Sequence, residues 1–215
     1  HQGRMHVDIM AFPNQYFYGK TLKILPEYCK VDQESTLEYQ LSENPTDLEK
    51  QLIGKRIGYI STKVDFESET SKTNSDEARW IAKLVDTYCK IYKTNNRPID
   101  FNKTIGIITP YRAQIAQIKD ELRQYNKGYE NFSVDTVERY QGSAREVILI
   151  SLCLNRESQL DSLVSLSTDG QVDRKLNVAL TRARKHLIVV GNEVLMQMSP
   201  IYWKLVKAFG RINKT

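Results

Sequence analysis

The stretch EVILISL, at residues 146–152, contains the uninterrupted apolar run VILI at 147–150 and a further leucine at 152. Such a continuous run is typical of a strand that is buried on both faces, as in a parallel sheet covered by helices. Three further runs have this character, RIGYIS at 56–61, TIGIIT at 104–109 and HLIVV at 186–190, and a shorter run at 132–135 is a fifth candidate. These runs predict a buried, mostly parallel sheet.

Amphipathic segments separate the predicted strands. Residues 75–92 repeat apolar side chains at helical spacing, and residues 112–125 do so directly after Pro110. Further helices are predicted at 173–184 and 200–209. Because strands and helices alternate along the chain, the sequence predicts a three-layer α/β fold.

The domain organisation follows from length and polarity. We expect the 215 residues to form a single domain, 1–215, since this length is sufficient for one complete core. Polar segments at about 27–51, 65–75 and 158–171 are predicted to be loops or insertions. The chain begins without methionine, and we expect it to be a fragment of a longer protein.

Composition restricts the class of protein. The net charge of +5 is compatible with a polyanionic partner without requiring one. Cys29, Cys89 and Cys153 form no C-x-x-C pair, so we expect free thiols, no metal site and a cytoplasmic location, or a nuclear one in a eukaryote. No apolar run approaches the length of a membrane span, so no membrane partner is expected.

The segment RKLNVALTRAR, at 174–184, combines an apolar stripe with several arginines. Arg182 lies one turn beyond Val178, and a guanidinium held at a helix end can stabilise charge on a phosphoryl group in transfer. The alternative is a basic helix terminus that is favoured by the helix dipole.

The segment DTVERYQG, at 135–142, connects two predicted strands. Thr136 follows a strand, where ligands of parallel sheets bind, and Gly142 permits a close backbone approach to a phosphate or ribose. Taken alone, the segment could equally be an ordinary polar loop.

The segment GIITPYRAQ, at 106–114, passes from a strand into a helix. Backbone N–H groups at such a corner can bind a phosphate, Tyr111 could stack on a base, and Arg112 could contact a nucleic-acid backbone. The alternative is a helix started by Pro110 with a partly buried tyrosine.

Together with Gly3-Arg4-Met5-His6, these segments resemble the second RecA-like domain, the C-terminal motor half, of superfamily 1 helicases related to the nonsense-mediated-decay helicase and senataxin. The segments R-M-H, I-T-P-Y-x-x-Q, V-D-T-V-x-x-Y-Q-G and L-N-V-A-L-T-R-A-R occur in the order typical of that family, from about residue 3 to residue 192. The resemblance implies a RecA-like fold and an ATP-dependent DNA or RNA helicase.

The resemblance also implies roles for individual residues. Arg4 matches the arginine that contacts the γ-phosphate, and Arg182 matches the arginine finger. Gln141 and Gly142 match the motif between nucleotide and nucleic acid. The surface that grips the single strand is matched by Thr109, Pro110, Tyr111 and Thr136, beside Arg112.

Two positions depart from the family pattern. Gly3 replaces a tyrosine that packs near the adenine, and Ala144 replaces a glutamate near the ribose, with Glu146 two residues later. We therefore expect looser recognition of base and ribose than of the triphosphate.

The sequence contains no G-x-x-x-x-G-K-[ST] segment and no D-E-A-x box at a strand end. ATP with Mg²⁺ is therefore expected to bind jointly with a first, N-terminal RecA-like domain, and the chain alone should not hydrolyse ATP. The alternatives are a non-catalytic nucleic-acid-binding module derived from the helicase fold and an α/β domain that acts through protein contacts.

Overall fold

A computed structural model describes residues 1–25, 33–68, 71–140, 144–168, 170 and 172–213. Its sheet has five strands in the order β1-β5-β4-β2-β3, and every neighbouring pair is parallel. All five strands coincide with predicted runs, within three residues at each end. The strands are β1 (Ile57–Ser61), β2 (Ile105–Ile108), β3 (Ser133–Asp135), β4 (Arg145–Ser151) and β5 (Ala183–Gly191).

Helices cover both faces of the sheet. One face carries α2 (Asp47–Gly54), α3 (Ser75–Thr94) and α4 (Arg112–Tyr125). The other carries α1 (Val7–Tyr16), α5 (Gln159–Leu163), α6 (Arg174–Leu180), α7 (Glu193–Gln197) and α8 (Pro200–Ala208). This is the three-layer, parallel-sheet architecture that the sequence predicted for a RecA-like fold.

The strands separate two hydrophobic cores because successive side chains point to opposite faces. In β4, Ile148 and Ile150 join the core beneath α1 and α6, whereas Val147 and Leu149 join the core beneath α3 and α4. All four side chains are buried. Burial on both faces explains why these strands have continuous rather than alternating apolar sequences.

Helix α6 is shorter than the predicted helix at 173–184, and this prediction was wrong at its C-terminal end. The helix ends at Leu180, and β5 begins at Ala183, so Arg182 lies in the connecting turn. The Thr181 hydroxyl donates to the carbonyl oxygens of Asn177 and Val178 (2.8 and 3.1 Å) and thereby satisfies acceptors of the last turn.

Two predicted loops contain helices. In the segment at 27–51, whose residues 26–32 lie outside the described residues, α2 begins where the Thr46 hydroxyl accepts a hydrogen bond from the Glu49 N–H. In the segment at 158–171, α5 covers Gln159–Leu163. Helix α1 was not predicted, because its short amphipathic pattern includes Pro13.

Candidate nucleotide and nucleic-acid sites

Arg4 and Arg182 meet at the edge of the sheet where the strands begin. Arg182 directly precedes β5. Arg4 donates from Nη1 to the carbonyl oxygen of Thr181 (3.2 Å), the residue before Arg182. Both arginines are half-buried and line one cavity of about 290 Å³. The structure thus brings together the two arginines that were predicted to address a triphosphate.

Local packing fixes both side chains. Arg182 donates from Nε to the carbonyl oxygen of Val178 (3.1 Å), which ties the guanidinium to the last turn of α6. Arg4 precedes Met5 and His6, both of which are buried. His6 begins α1 as its N-cap, and its Nε2 lies 2.9 Å from the carbonyl oxygen of Ser35.

The arginine cavity is positively charged. Among the described residues, the cavity lining contains no acidic side chain. Burial lowers the pKa of the Arg182 guanidinium, and the nearby charge of Arg4 lowers it further. Two like charges in a concave site favour an anion that contacts both.

The predicted Gln141 and Gly142 lie outside the described residues, but both flanks are described. Tyr140 is buried, and its hydroxyl donates to the Ser133 carbonyl oxygen (2.6 Å). On the other side, the Arg145 N–H donates to the Arg182 carbonyl oxygen (3.0 Å). The described flank at Arg145 is therefore adjacent to Arg182.

The two departures from the family pattern also lie on this edge. Gly3 is exposed in the lining of the arginine cavity and offers no ring to stack on a base. Glu146 accepts hydrogen bonds from the Tyr92 hydroxyl (2.7 Å) and from Lys185 Nζ (3.2 Å). Its carboxylate is thus engaged within the chain, so it is not a ready substitute for the missing glutamate.

The predicted single-strand surface lies at the opposite edge, where the strands end. Tyr111 and Thr136 are half-buried, and Arg112 is exposed. The Thr109 side chain is only 1% exposed, and its hydroxyl has no partner among the described residues. Pro110 stands before the N-cap Tyr111 and not within the first turn of α4. The Tyr111 hydroxyl lies 3.1 Å from Ser162 Oγ, which holds the ring beside α5.

Helix α6 connects the two edges. It begins after Asp173, beside the end of the strands, and it ends at Leu180, two residues before Arg182. Its seven residues cover about 10 Å at 1.5 Å per residue. At its beginning, Lys175 and Leu176 line a small cavity together with Thr109. One rigid element thus contacts both candidate sites.

A family model described as an AAA domain matches residues 1–194. The chain belongs to this AAA-domain family. The match covers both arginines and the whole sheet, so the candidate sites lie within the part that defines the family.

Relatives of this AAA domain are named as helicases. Helicase SEN1 of Saccharomyces cerevisiae is 32% identical over 96% of this chain and 9% of the relative. A probable helicase of Dictyostelium discoideum is 30% identical over 96% of this chain and 19% of its own length. An uncharacterized ATP-dependent helicase of Methanocaldococcus jannaschii is 28% identical over 96% of this chain and 28% of its own length. The chain therefore spans less than a third of each of these relatives.

Sequence reasoning did not identify a buried polar cluster at the edge where the strands end. Asn74, Glu77 and Gln114 have no exposed surface, although each carries a strongly polar side chain. Gln114 belongs to the quoted I-T-P-Y-x-x-Q pattern, whereas neither Asn74 nor Glu77 belongs to any predicted site. The sequence signal that could have indicated the cluster is a polar side chain, Glu77 or Gln114, at a helical position that faces the core.

Within the described ranges, no group of three or more His, Cys, Asp or Glu side chains could hold a metal ion. Cys89 and Cys153 are free and buried, as expected, whereas Cys29 lies outside the described residues. No helix in the described part of the chain has the length and apolar character to cross a membrane.

Proposed function

We propose that this AAA domain is the second RecA-like motor half of an ATP-dependent superfamily 1 helicase. The observation that carries the proposal is the pair Arg4 and Arg182 in one cavity without an acidic lining residue. Membership of a family with helicase relatives supports the assignment to an ATP-dependent helicase.

The arginine cavity fits a polyphosphate. Arg182 is the arginine finger in this proposal, and Arg4 contacts the γ-phosphate. ATP bound with Mg²⁺ supplies the phosphoryl group that is transferred to water. Because the Arg182 Nε donates to Val178, the terminal nitrogens of the guanidinium are presented toward the cavity in a fixed orientation. A preorganised cation of this kind stabilises the charge that develops on the phosphoryl oxygens.

The rest of the nucleotide site comes from elsewhere in this proposal. The chain has no glycine-rich phosphate loop of the Walker A type. We assign that loop and the magnesium ligands to a first RecA-like domain, which would face the arginine cavity. For Gln141 and Gly142, which lie outside the described residues, the role in the nucleotide site rests on the sequence pattern.

The opposite edge forms part of the single-strand grip in this proposal. Tyr111 offers an aromatic face for stacking, Arg112 a cation for the phosphate backbone, and Thr136 a hydroxyl at a strand end. Pro110 and Thr109 shape the corner beneath them. Helix α6 would transmit closure of the nucleotide site to this edge, since it contacts both.

The test is the substitution Arg182→Ala in the full-length protein that carries this domain. We expect ATP turnover at saturating nucleic acid to fall roughly 10³-fold, the scale of arginine-finger losses. Arg184→Ala is the matched control, because Arg184 is exposed in β5 and does not line the cavity. Near-normal turnover in the Arg182 variant, or equal losses in both variants, would contradict the assignment.

A second candidate function is a non-catalytic nucleic-acid-binding module. The net charge of +5 and the absence of a phosphate loop favour it. The two functions differ in their response to nucleotide: the motor half requires ATP-driven turnover in the full-length protein, whereas the module binds single strands without it. Salt-sensitive binding of oligonucleotides together with no ATPase activity in the full-length protein would select the module.

A further inference from the structure

Six buried polar side chains connect the loops that follow β1, β2 and β4, at the edge that carries Tyr111. We call this group the carboxyl-edge network. Each member is at most 9% exposed, and each is hydrogen-bonded to another member. The members are Asn74, Glu77, Gln114, Ser151, Asn155 and Gln159.

Gln114 is the central donor and acceptor. Its Oε1 accepts from the Asn74 N–H (2.8 Å), and its Nε2 donates to the Asn74 carbonyl oxygen (3.0 Å) and to Ser151 Oγ (3.2 Å). Gln114 is the third residue of α4 and follows Tyr111 by three positions. These bonds attach the first turn of α4 to the start of α3 and to the end of β4.

Glu77 extends the network to the loop after β4. Its Oε2 accepts from Ser151 Oγ and from the Cys153 N–H (both 2.7 Å), and its Oε1 accepts from the Leu154 N–H (3.1 Å). The backbone at Cys153 has a φ of 52°, in the left-handed region that a side chain such as cysteine rarely adopts. The hydrogen bonds to Glu77 therefore stabilise a backbone conformation that is rare for a cysteine.

The loop after β4 returns to Tyr111. Asn74 Nδ2 donates to Asn155 Oδ1 (2.8 Å), and Gln159 Oε1 accepts from the Asn155 N–H (2.8 Å). Gln159 Nε2 donates to the Cys153 carbonyl oxygen (3.1 Å) and lies 3.5 Å from the Tyr111 hydroxyl. One connected set of hydrogen bonds thus reaches Tyr111 from two sides. Gln114 belongs to the helix that Tyr111 begins, and Gln159 approaches its hydroxyl from the facing loop.

Such a network specifies geometry more than it adds stability. Apolar side chains could fill the same space without the cost of burying a carboxylate and four primary amides. A fully satisfied polar network instead permits one arrangement of the loops, because a displaced loop leaves buried donors and acceptors unpaired. The loops that it fixes are those around the proposed grip.

We propose that Gln114 is a positioning residue that holds Tyr111 in the orientation in which it stacks on a base of the single strand. This inference rests on the proposed function, since it takes Tyr111 to be part of the grip. Gln114 itself does not touch the strand, because its side chain is completely buried.

The experiment is a double-mutant cycle on binding of short labelled oligothymidylate and oligouridylate, measured by fluorescence anisotropy. We expect Tyr111→Ala to raise Kd about tenfold, the loss of roughly one stacked base. Gln114→Met should raise Kd about fivefold, and the double variant should bind as weakly as Tyr111→Ala alone, because Gln114 acts through Tyr111. A residue that merely maintains the fold would not show this loss of additivity.

The matched control is Gln117→Met. Gln117 has the same side chain on the same helix, and its Nε2 donates to Ser75 Oγ (2.8 Å), outside the network. Its Kd should not change. If Tyr111→Ala weakens binding but Gln114→Met does not, or if the two effects add, the inference is wrong and the proposed grip stands. If Tyr111→Ala has no effect, the proposed grip itself is wrong.

A second variant covers the case in which Gln114→Met does not fold. Ser151→Ala removes only the hydroxyl that links Gln114 to Glu77. We expect Kd to rise about twofold in the wild-type background and not to change in the Tyr111→Ala background. Equal increases in both backgrounds would overturn the inference.

Discussion

Glu77→Gln should change how the stability of the domain depends on pH. Complete burial raises the pKa of the Glu77 carboxyl from its ordinary value of 4.5 to about 7, and the hydrogen bonds from Ser151, Cys153 and Leu154 oppose this rise only in part. The folded state therefore binds a proton that the unfolded state has released. The resulting contribution to stability is fully present below pH 4.5 and is lost as the pH rises through about 7.

The magnitude follows from the two pKa values. Their difference corresponds to ~3 kcal/mol at 25 °C, for a group that solvent does not screen. Glutamine does not titrate, so between pH 4.5 and pH 8 the wild type should lose ~3 kcal/mol of unfolding free energy relative to the variant. In the variant, the amide N–H of glutamine faces a hydrogen-bond donor, which lowers the free energy of unfolding by the same amount at every pH. This cost therefore does not change how the free energy of unfolding of the variant depends on pH.

The assay is urea unfolding of both proteins at a series of pH values, followed by circular dichroism. All other titratable groups are common to the two proteins and cancel in the difference, provided that the m-values agree. A free-energy difference that stays constant within ~0.5 kcal/mol from pH 4.5 to pH 8 would refute the reasoning, because Glu77 would then have the same pKa in both states.

Three other predictions concern packing, capping and catalysis. Gly106→Ala should lower the free energy of unfolding by ~1–3 kcal/mol in urea unfolding. The added Cβ would lie 2.7 Å from Arg145 Cγ and 3.0 Å from Tyr140 Cε1. An unchanged free energy of unfolding would show that both side chains can move away freely. Asp173→Ala should cost ~1–2 kcal/mol, because the carboxylate caps α6 by accepting from the Leu176 N–H (3.1 Å), and an unaltered melting temperature would contradict this. The 215-residue chain alone should release no phosphate from Mg-ATP above the background without protein, so measurable turnover by the purified chain would remove the need for a first RecA-like domain.

The order of strands and helices was readable from local sequence because buried parallel strands are continuous apolar runs. The run at 146–152 and β4 (Arg145–Ser151) differ by one residue at each end. Helix α4 begins and ends where the periodicity predicted, at Arg112 and Tyr125. The end of α6 was mispredicted because helical spacing continues through Ala183, and only pairing of that residue with Arg145 in β4 assigns it to a strand.

The candidate sites were predictable only residue by residue. The sequence places Arg4 and Arg182 at opposite ends of the chain, and nothing local in either segment says that they share a cavity. It also gives no reason to expect Glu77 to meet Ser151 and Cys153, since these contacts join residues more than seventy positions apart. Contacts of this kind depend on strand order, which local patterns do not determine.

By itself, the sequence determined the class of fold and the bounds of the strands to within a few residues, and it supplied candidates for the residues that address a phosphate or a base. These properties depend on side-chain periodicity and on residue chemistry, which are local. Only the tertiary structure decided that Arg182 lies in a turn before β5, that it meets Arg4 there, and that Tyr111 stands at the opposite edge. The physical reason is that parallel strands align all their beginnings on one edge and all their ends on the other, so residues distant in sequence are brought together in two separate places.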